Sequence, residues 1–315
     1  MTGIVADLRS AVSGRVLADE PLARHTTLKV GGPATALVRA ETPDDLAAVA
    51  AVCADSGVPW LILGRGSNLL VADEGWHGVV VVLGRGFRGV TVDDDGQAGQ
   101  AVVSAGAAEP MPVLANAVAR EGLGGLAFGV AIPGSLGGAV RMNAGAHGGQ
   151  MADVLVDADV VRLAAGAAVQ RWRREDLAMS YRSTALPADA VVVRARLRLR
   201  RVDRAELAEQ MAEMRRWRRR HQPINEPSCG SVFRNPPGGS AGRLVEAAGM
   251  KGHRVGGAHV SEVHANFITV APGATAADVA AVIADARAAV LATAGVELHT
   301  EVVLAGFGAG AGADR

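Results

Sequence analysis

The chain has 315 residues, and its 32 Lys and Arg balance 32 Asp and Glu, so it carries no formal net charge. That balance argues against nucleic acid or anionic membrane as the main partner, and 49% hydrophobic against 20% charged residues excludes disorder. Two cysteines, Cys53 and Cys229, are too few for a disulfide framework or a four-cysteine zinc site.

Alternating short helices and strands predict a mixed α and β protein of two domains. The opening residues lack a secretory apolar core, and the longest apolar runs fall far below the roughly 20 residues of a membrane span, so a cytoplasmic protein is expected. Thr42-Pro43-Asp44-Asp45 reads as a helix start, with a cap, a proline and first-turn acids; Gly57 reads as its end. Trp60–Leu63 reads as a buried strand running into Gly64-Arg65-Gly66-Ser67-Asn68. A further strand follows at Leu69-Leu70-Val71, a turn at Asp73-Glu74-Gly75, and then the strand Val79–Leu83. This loop joins strand to strand, whereas a Rossmann fingerprint joins strand to helix.

A helix over Pro112–Arg120 leads into the densest glycine region, which includes Gly134, Gly137, Gly138, Gly145, Gly148 and Gly149. Strands are expected at Val154–Leu163 and Ala190–Leu199. After Asp203, an amphipathic helix carrying Leu207, Met211, Met214 and Trp217 ends in an arginine run at 215–220, and the domain boundary is placed at its start. Thr275-Ala276-Ala277-Asp278 starts a last helix with Val279, Val282, Ile283, Ala286 and Val290 buried and Gly295 at its end. A strand is expected at Val296–Leu304, and a disordered tail over 309–315.

Several of these segments carry groups suited to chemistry. In Gly64–Asn68, bare amide N–H groups join a hydroxyl and a side-chain amide as donors for a phosphate. Ordering the flexible backbone around Gly134–Gly149 is entropically costly, which points to a large ligand such as a dinucleotide. Ser180-Tyr181-Arg182-Ser183 holds the only tyrosine and an arginine whose planar fork suits a carboxylate. Cys229 lacks a nucleophile signature and reads as a small buried residue. The arginine run reads as a solvated helix end, where cations are favoured. His25, His259 and His264 lack ligand spacing, so no metal is expected.

Ordered blocks along the chain resemble the UDP-N-acetylenolpyruvoylglucosamine reductases, the MurB family. They are His25-Thr26-Thr27-Leu28-Lys29-Val30-Gly31-Gly32-Pro33, Leu63–Asn68, Ile132-Pro133-Gly134-Ser135 with Met142-Asn143-Ala144-Gly145, Tyr181-Arg182-Ser183, Ser228–Pro236, and Gly256-Gly257-Ala258 with His264-Ala265-Asn266-Phe267. Each block is short, and six in this order are specific. The chain lacks the tyrosine-bearing insertion of one subclass and resembles the shorter type II form. Leu28, Arg141 and His147 depart from the family pattern.

The resemblance implies an α+β fold: a two-lobed FAD-binding module of the vanillyl-alcohol-oxidase (PCMH) type at 1–202, then a smaller α+β substrate-binding domain at 203–308. It implies non-covalent FAD and NADPH as co-substrate, in a monomer that reduces UDP-N-acetylglucosamine enolpyruvate to UDP-N-acetylmuramate for peptidoglycan synthesis. By the same likeness Arg182, Ser231 and Glu301 are catalytic, with Ser231 protonating C2 of the enol ether. Gly64, Arg65, Gly66, Ser67, Asn68, Pro133, Gly134, Ser135, Gly138, Asn143 and Gly145 would bind FAD, and Tyr181, Arg234 and Asn235 the substrate. Two alternatives stay open: another FAD oxidoreductase of this fold, or a nucleotide-binding module without chemistry.

Overall fold

A computed structural model describes residues 2–93, 99–165 and 168–308; the expected disordered tail lies outside the described residues. The chain forms two compact units, one from Met1–Ala18, Ala36–Gly64 and Gly78–Trp217, the other from Asp19–Thr35, Arg65–His77 and Arg218–Arg315.

The first unit has two cores. In one, helices α1 (Thr2–Ala11) and α2 (Pro43–Ser56) bury Leu8, Leu46, Val49 and Cys53 in a cluster with Val38, Val79 and Val81. The predicted start of α2 is what forms. Thr42 Oγ1 accepts the Asp45 N–H, the Asp45 carboxylate accepts the Thr42 N–H, and Gly57 ends the helix at φ 65°. The strand Trp60–Ile62 pairs in parallel with Trp76–Leu83. It is half-buried rather than enclosed, because it lies at the edge of its four-stranded sheet.

The other core lies against a six-stranded antiparallel sheet centred on Ala190–Arg201. The sequence of this strand records two environments. Val191 and Val193 join the first core and Val192 the second, so its opening run is apolar on both faces. Beyond it Ala195, Leu197 and Leu199 are buried, while Arg194, Arg196, Arg198 and Arg200 alternate toward the other face. Helix α3 (Met111–Arg120) adds Met111, Leu114 and Val118, and α4 (Leu136–Arg141) adds Leu136, Ala139 and Val140. The glycine-dense stretch is therefore partly helical rather than one loop.

Helix α5 (Arg204–His221) is capped by the Asp203 carboxylate, which accepts the N–H groups of Ala205 and Glu206. Leu207 and Met211 are buried as expected. Trp217, expected on the same face, is 39% exposed and stands edge-on to His147 with ring centroids 5.1 Å apart.

The second unit is a four-stranded antiparallel sheet in the order Ser228–Ser231, Phe267–Val270, Ala258–Val260, Arg254–Val255. Helices α6 (Ala241–Ala247) and α7 (Ala276–Ala294) pack with it around Phe233, Leu70 and Ile268. Helix α7 has the predicted cap of Thr275 and Asp278, the predicted buried face, and Gly295 at φ 64°. Asp73 adds to the cap by accepting the N–H groups of Ala276 and Ala277.

The expected strand over Val296–Leu304 shrinks to Val303–Ala305, paired in parallel with Leu69–Val71. The cause is local. The N–H groups of Glu301 and Val302 both meet the carbonyl of Val232, at 2.7 and 3.3 Å. Successive N–H groups of a strand point to opposite sides, so this pair makes a bend. Among the described residues, no helix is long and apolar enough to cross a membrane.

Candidate active site

In the first unit, the 133–145 segment is held by main chain. Met111 N–H donates to Gly134 O, Leu136 N–H to Glu109 O and Gly137 N–H to Ala107 O, at 2.8 to 3.0 Å. Ser135 sits buried before α4, and its hydroxyl makes no cap to the helix. Gly64 and Gly138 are both exposed, and a Cβ on either would approach only Ser135, with Oγ at 2.8 and 3.6 Å. The neighbouring glycines have packing reasons instead. A Cβ on Gly137 would press on Ala107, on Gly145 against Gly149 and Gln150, and on Gly149 against Phe128. The glycine density thus has two sources, close packing and an uncovered patch of main chain.

Asn143, buried and at φ 40°, turns inward. Its Nδ2 donates to Ser180 O at 2.8 Å and Gln150 Oε1 at 3.1 Å, and its Oδ1 accepts the Ala152 N–H at 2.9 Å. The amide expected to face a cofactor pins the turn that carries Arg182. In that turn Ser180 and Ser183 exchange N–H donations, at 3.0 and 3.2 Å. Arg182 is held at φ 54°, donates from Nη2 to Gly145 O at 2.9 Å, and lies 5.1 Å from the ring centre of Tyr181. An arginine at positive φ is strained backbone of the kind that collects at functional sites. The Arg141 guanidinium braces the same segment by donating to the carbonyls of Pro187 and Ala190, and the main-chain O of Arg141 accepts from Thr184 Oγ1.

In the second unit, the turn at Gly66 is clamped by the 25–27 segment. Gly66 has φ 61°, a Cβ there would collide with His25 O, and Thr27 N–H donates to Gly66 O at 3.0 Å. Only glycine fits both conditions. Asn68 Nδ2 donates to Glu301 O at 3.0 Å, and Asn68 O accepts the Val303 N–H at 3.1 Å. Gly230, at φ 76°, lies opposite Ser67, and the strand pairing slips between Ser228 and Ser231. A bulge of this kind re-aims the side chain that follows it. That side chain is Ser231, which is half-buried.

The bond from Glu301 N–H to Val232 O therefore ties the main chain of Glu301 to the residue that follows Ser231, beside the Ser67–Asn68 turn. Arg182 belongs to the other unit, with Asn143, Gly145 and Tyr181. Arg234 N–H donates to His299 O, and its Nε is buried with no hydrogen-bond partner among the described residues. Asn235 Oδ1 accepts the Ala241 N–H at the start of α6. Cys229 is buried. Burial, with the Glu301 charge adding to it, pushes its thiol up to about 12, which removes it as a nucleophile. His264 is held below the ordinary imidazole value by burial, and its Nδ1 accepts the Asn266 N–H at 3.2 Å. Among the described residues, no group of three or more His, Cys, Asp or Glu could hold a metal ion.

The residues fit FAD. Neither 64–68 nor 133–145 contains an Asp or Glu, so no carboxylate in them repels a diphosphate. The exposed, Cβ-free main chain at Gly64 and Gly138 beside Ser135 Oγ is the kind of surface on which a large planar ligand can lie.

Fold and sequence together define an FAD-dependent reductase: residues 34–170 match the FAD binding domain family, and residues 222–305 match the UDP-N-acetylenolpyruvoylglucosamine reductase, C-terminal domain. The UDP-N-acetylenolpyruvoylglucosamine reductase of Heliobacterium modesticaldum is 46% identical over 312 residues, spanning 98% of this chain and 96% of its own. That of Bacillus subtilis is 40% identical over 308 residues, 97% of this chain and 99% of its own. The crystal structure of the enzyme from Thermus caldophilus matches with a TM-score of 0.77 at 37% identity, covering 93% of this chain and 98% of that one. The chain belongs to the UDP-N-acetylenolpyruvoylglucosamine reductase family.

Proposed function

We propose that this chain reduces UDP-N-acetylglucosamine enolpyruvate to UDP-N-acetylmuramate with NADPH, in the cytoplasm, as a step toward peptidoglycan precursors. FAD, held by 64–68 and 133–138, would supply the hydride chemistry that links NADPH to C3 of the enol ether. Residues 1–202 serve as the FAD-binding module and 203–308 as the substrate domain. The neutral net charge supports a reading without nucleic acid, and the working form is a monomer.

The remaining chemistry falls to side chains. Arg182 faces the substrate carboxylate and neutralises the charge that grows there as C2 becomes a carbanion. Glu301 supports the same charge when its carboxyl carries a proton and donates a hydrogen bond, since an ionised carboxylate only accepts. Ser231 Oγ gives its proton to C2 and regains one from solvent; a hydroxyl is a weak acid, but a carbanion is basic enough to take its proton when held in place. Tyr181, Arg234 and Asn235 hold the sugar nucleotide. Main-chain N–H groups and hydroxyls of 64–68 and 133–138, with Arg65, hold FAD, and Asn143 and Gly145 act by holding the Arg182 turn.

The observation that carries this reading is the bond from Glu301 N–H to Val232 O, which ties the main chain of the proposed carboxyl to the residue next to the proposed acid. An anaerobic titration tests it. NADPH should bleach the bound flavin, and the enolpyruvyl nucleotide should restore its colour in one equivalent. A flavin that NADPH bleaches but the nucleotide leaves bleached would move the assignment to another oxidoreductase; one that NADPH leaves coloured would favour a module without chemistry.

A further inference from the structure

Asn266 is buried in the second unit, and the reaction gives it no task. It nevertheless makes three hydrogen bonds to the two residues that follow Ser231. Its Nδ2 donates to Phe233 O, its Oδ1 accepts the Phe233 N–H, and its main-chain O accepts the Val232 N–H, each at 2.9 Å. A side-chain amide spaces donor and acceptor as a peptide group does, so Asn266 continues the pairing past Ser231, where the regular ladder with Phe267 ends. Val232 is thereby held from both directions: its N–H ends on Asn266, and its carbonyl receives the N–H groups of Glu301 and Val302.

We propose that Asn266 is a positioning residue, which fixes Ser231 against Glu301 by locking the Val232–Phe233 main chain between them. The inference rests on the role given to Ser231 above. It differs from a packing role in what it moves. A loosened Val232 shifts the hydroxyl and the carboxyl relative to each other, while the FAD-binding segments keep their own supports, 133–145 in the other unit on Ala107, Glu109 and Met111 and the Gly66 turn on the 25–27 segment, and a misplacement near 1 Å costs a rate about 100-fold.

The test uses FAD-loaded Asn266→Asp, which keeps the acceptor and loses the donor, and Asn266→Ala, which loses both. Each is made in wild type and in Ser231→Ala. FAD content and reduction by NADPH should stay within about twofold of the parent, while reoxidation by the enolpyruvyl nucleotide falls about 100-fold. In the Ser231→Ala background the same substitutions should cost under about threefold, because no hydroxyl remains to misplace. Hydrogen exchange on the unmodified protein gives a second reading, with the Val232, Phe233 and Glu301 amides among the slowest in the second unit. Parallel loss of both half-reactions, no loss in either, a full 100-fold loss without the serine, failure of both variants to fold, or rapid exchange at Phe233 would each overturn the inference. Failure of wild type itself to be reoxidised would instead overturn the reading of function.

Discussion

The N–H of Glu301 donates to the carbonyl of Val232 at 2.7 Å, across 69 positions of sequence, and so ties the proposed carboxyl to the residue that follows the proposed acid. Asn68 extends the tie by donating to Glu301 O, which links the pair to the Gly66 turn. The site of the second unit is built by main-chain bonds between loops, and that makes glycine substitutions informative.

Two glycines should respond in opposite ways. Gly66→Ala combines a positive φ with a collision against His25 O, and should destabilise the protein by about 3 kcal/mol. Gly138→Ala lies in a helix, is exposed and meets only Ser135 Oγ at 3.6 Å, so stability without FAD should hold or rise by about 0.5 kcal/mol. FAD affinity should nevertheless fall at least about tenfold, since the added methyl occupies the uncovered main chain. Denaturant melts and flavin titration measure both. Unchanged FAD affinity in Gly138→Ala would remove that residue from the cofactor surface.

A pH prediction follows from Asp45. Its carboxylate accepts the N–H groups of Ser13 and Glu41, each at 2.7 Å, and of Thr42 at 3.1 Å. Burial pushes its pKa up, but these bonds and the Ser13 hydroxyl outweigh it and hold the group below the ordinary carboxylate value. A lowered folded pKa means stability that is present above the unfolded value and is lost as pH falls through the folded one. Asp45→Asn should cost about 2 kcal/mol at pH 7, and its deficit against wild type should shrink as pH falls from about 5 toward 3. A deficit that grows with acid would contradict this.

The two thiols should be inert. Burial raises Cys53 to about 11, and burial with the Glu301 charge raises Cys229 to about 12. Iodoacetamide at neutral pH should label neither cysteine in the native protein and both after unfolding. Labelling of native Cys229 would reopen it as a nucleophile.

What the sequence told in advance was mostly local. The caps of α2 and α7 and the buried face of α7 involve residues a few positions apart, so spacing alone locates them. The α+β fold and FAD followed from ordered motifs, and the family relationship bears them out. What escaped was non-local. The bend at Glu301 exists because Val232 supplies one carbonyl to two N–H groups, a bond that strand periodicity cannot register. Asn143 and Asn266 look alike as polar residues in apolar context, yet both spend their amides inside the protein. The glycines of 134–149 invited one explanation and have two, because close approach to Ala107, Phe128 and Gln150 is invisible until those segments meet.

The most direct test of the whole account separates the half-reactions of Ser231→Ala by anaerobic stopped flow. Reduction of its flavin by NADPH should stay within about twofold of wild type, and reoxidation by the enolpyruvyl nucleotide should slow at least about 1000-fold. Equal slowing of both steps, or reoxidation at the wild-type rate, would contradict the assignment of that hydroxyl as the acid.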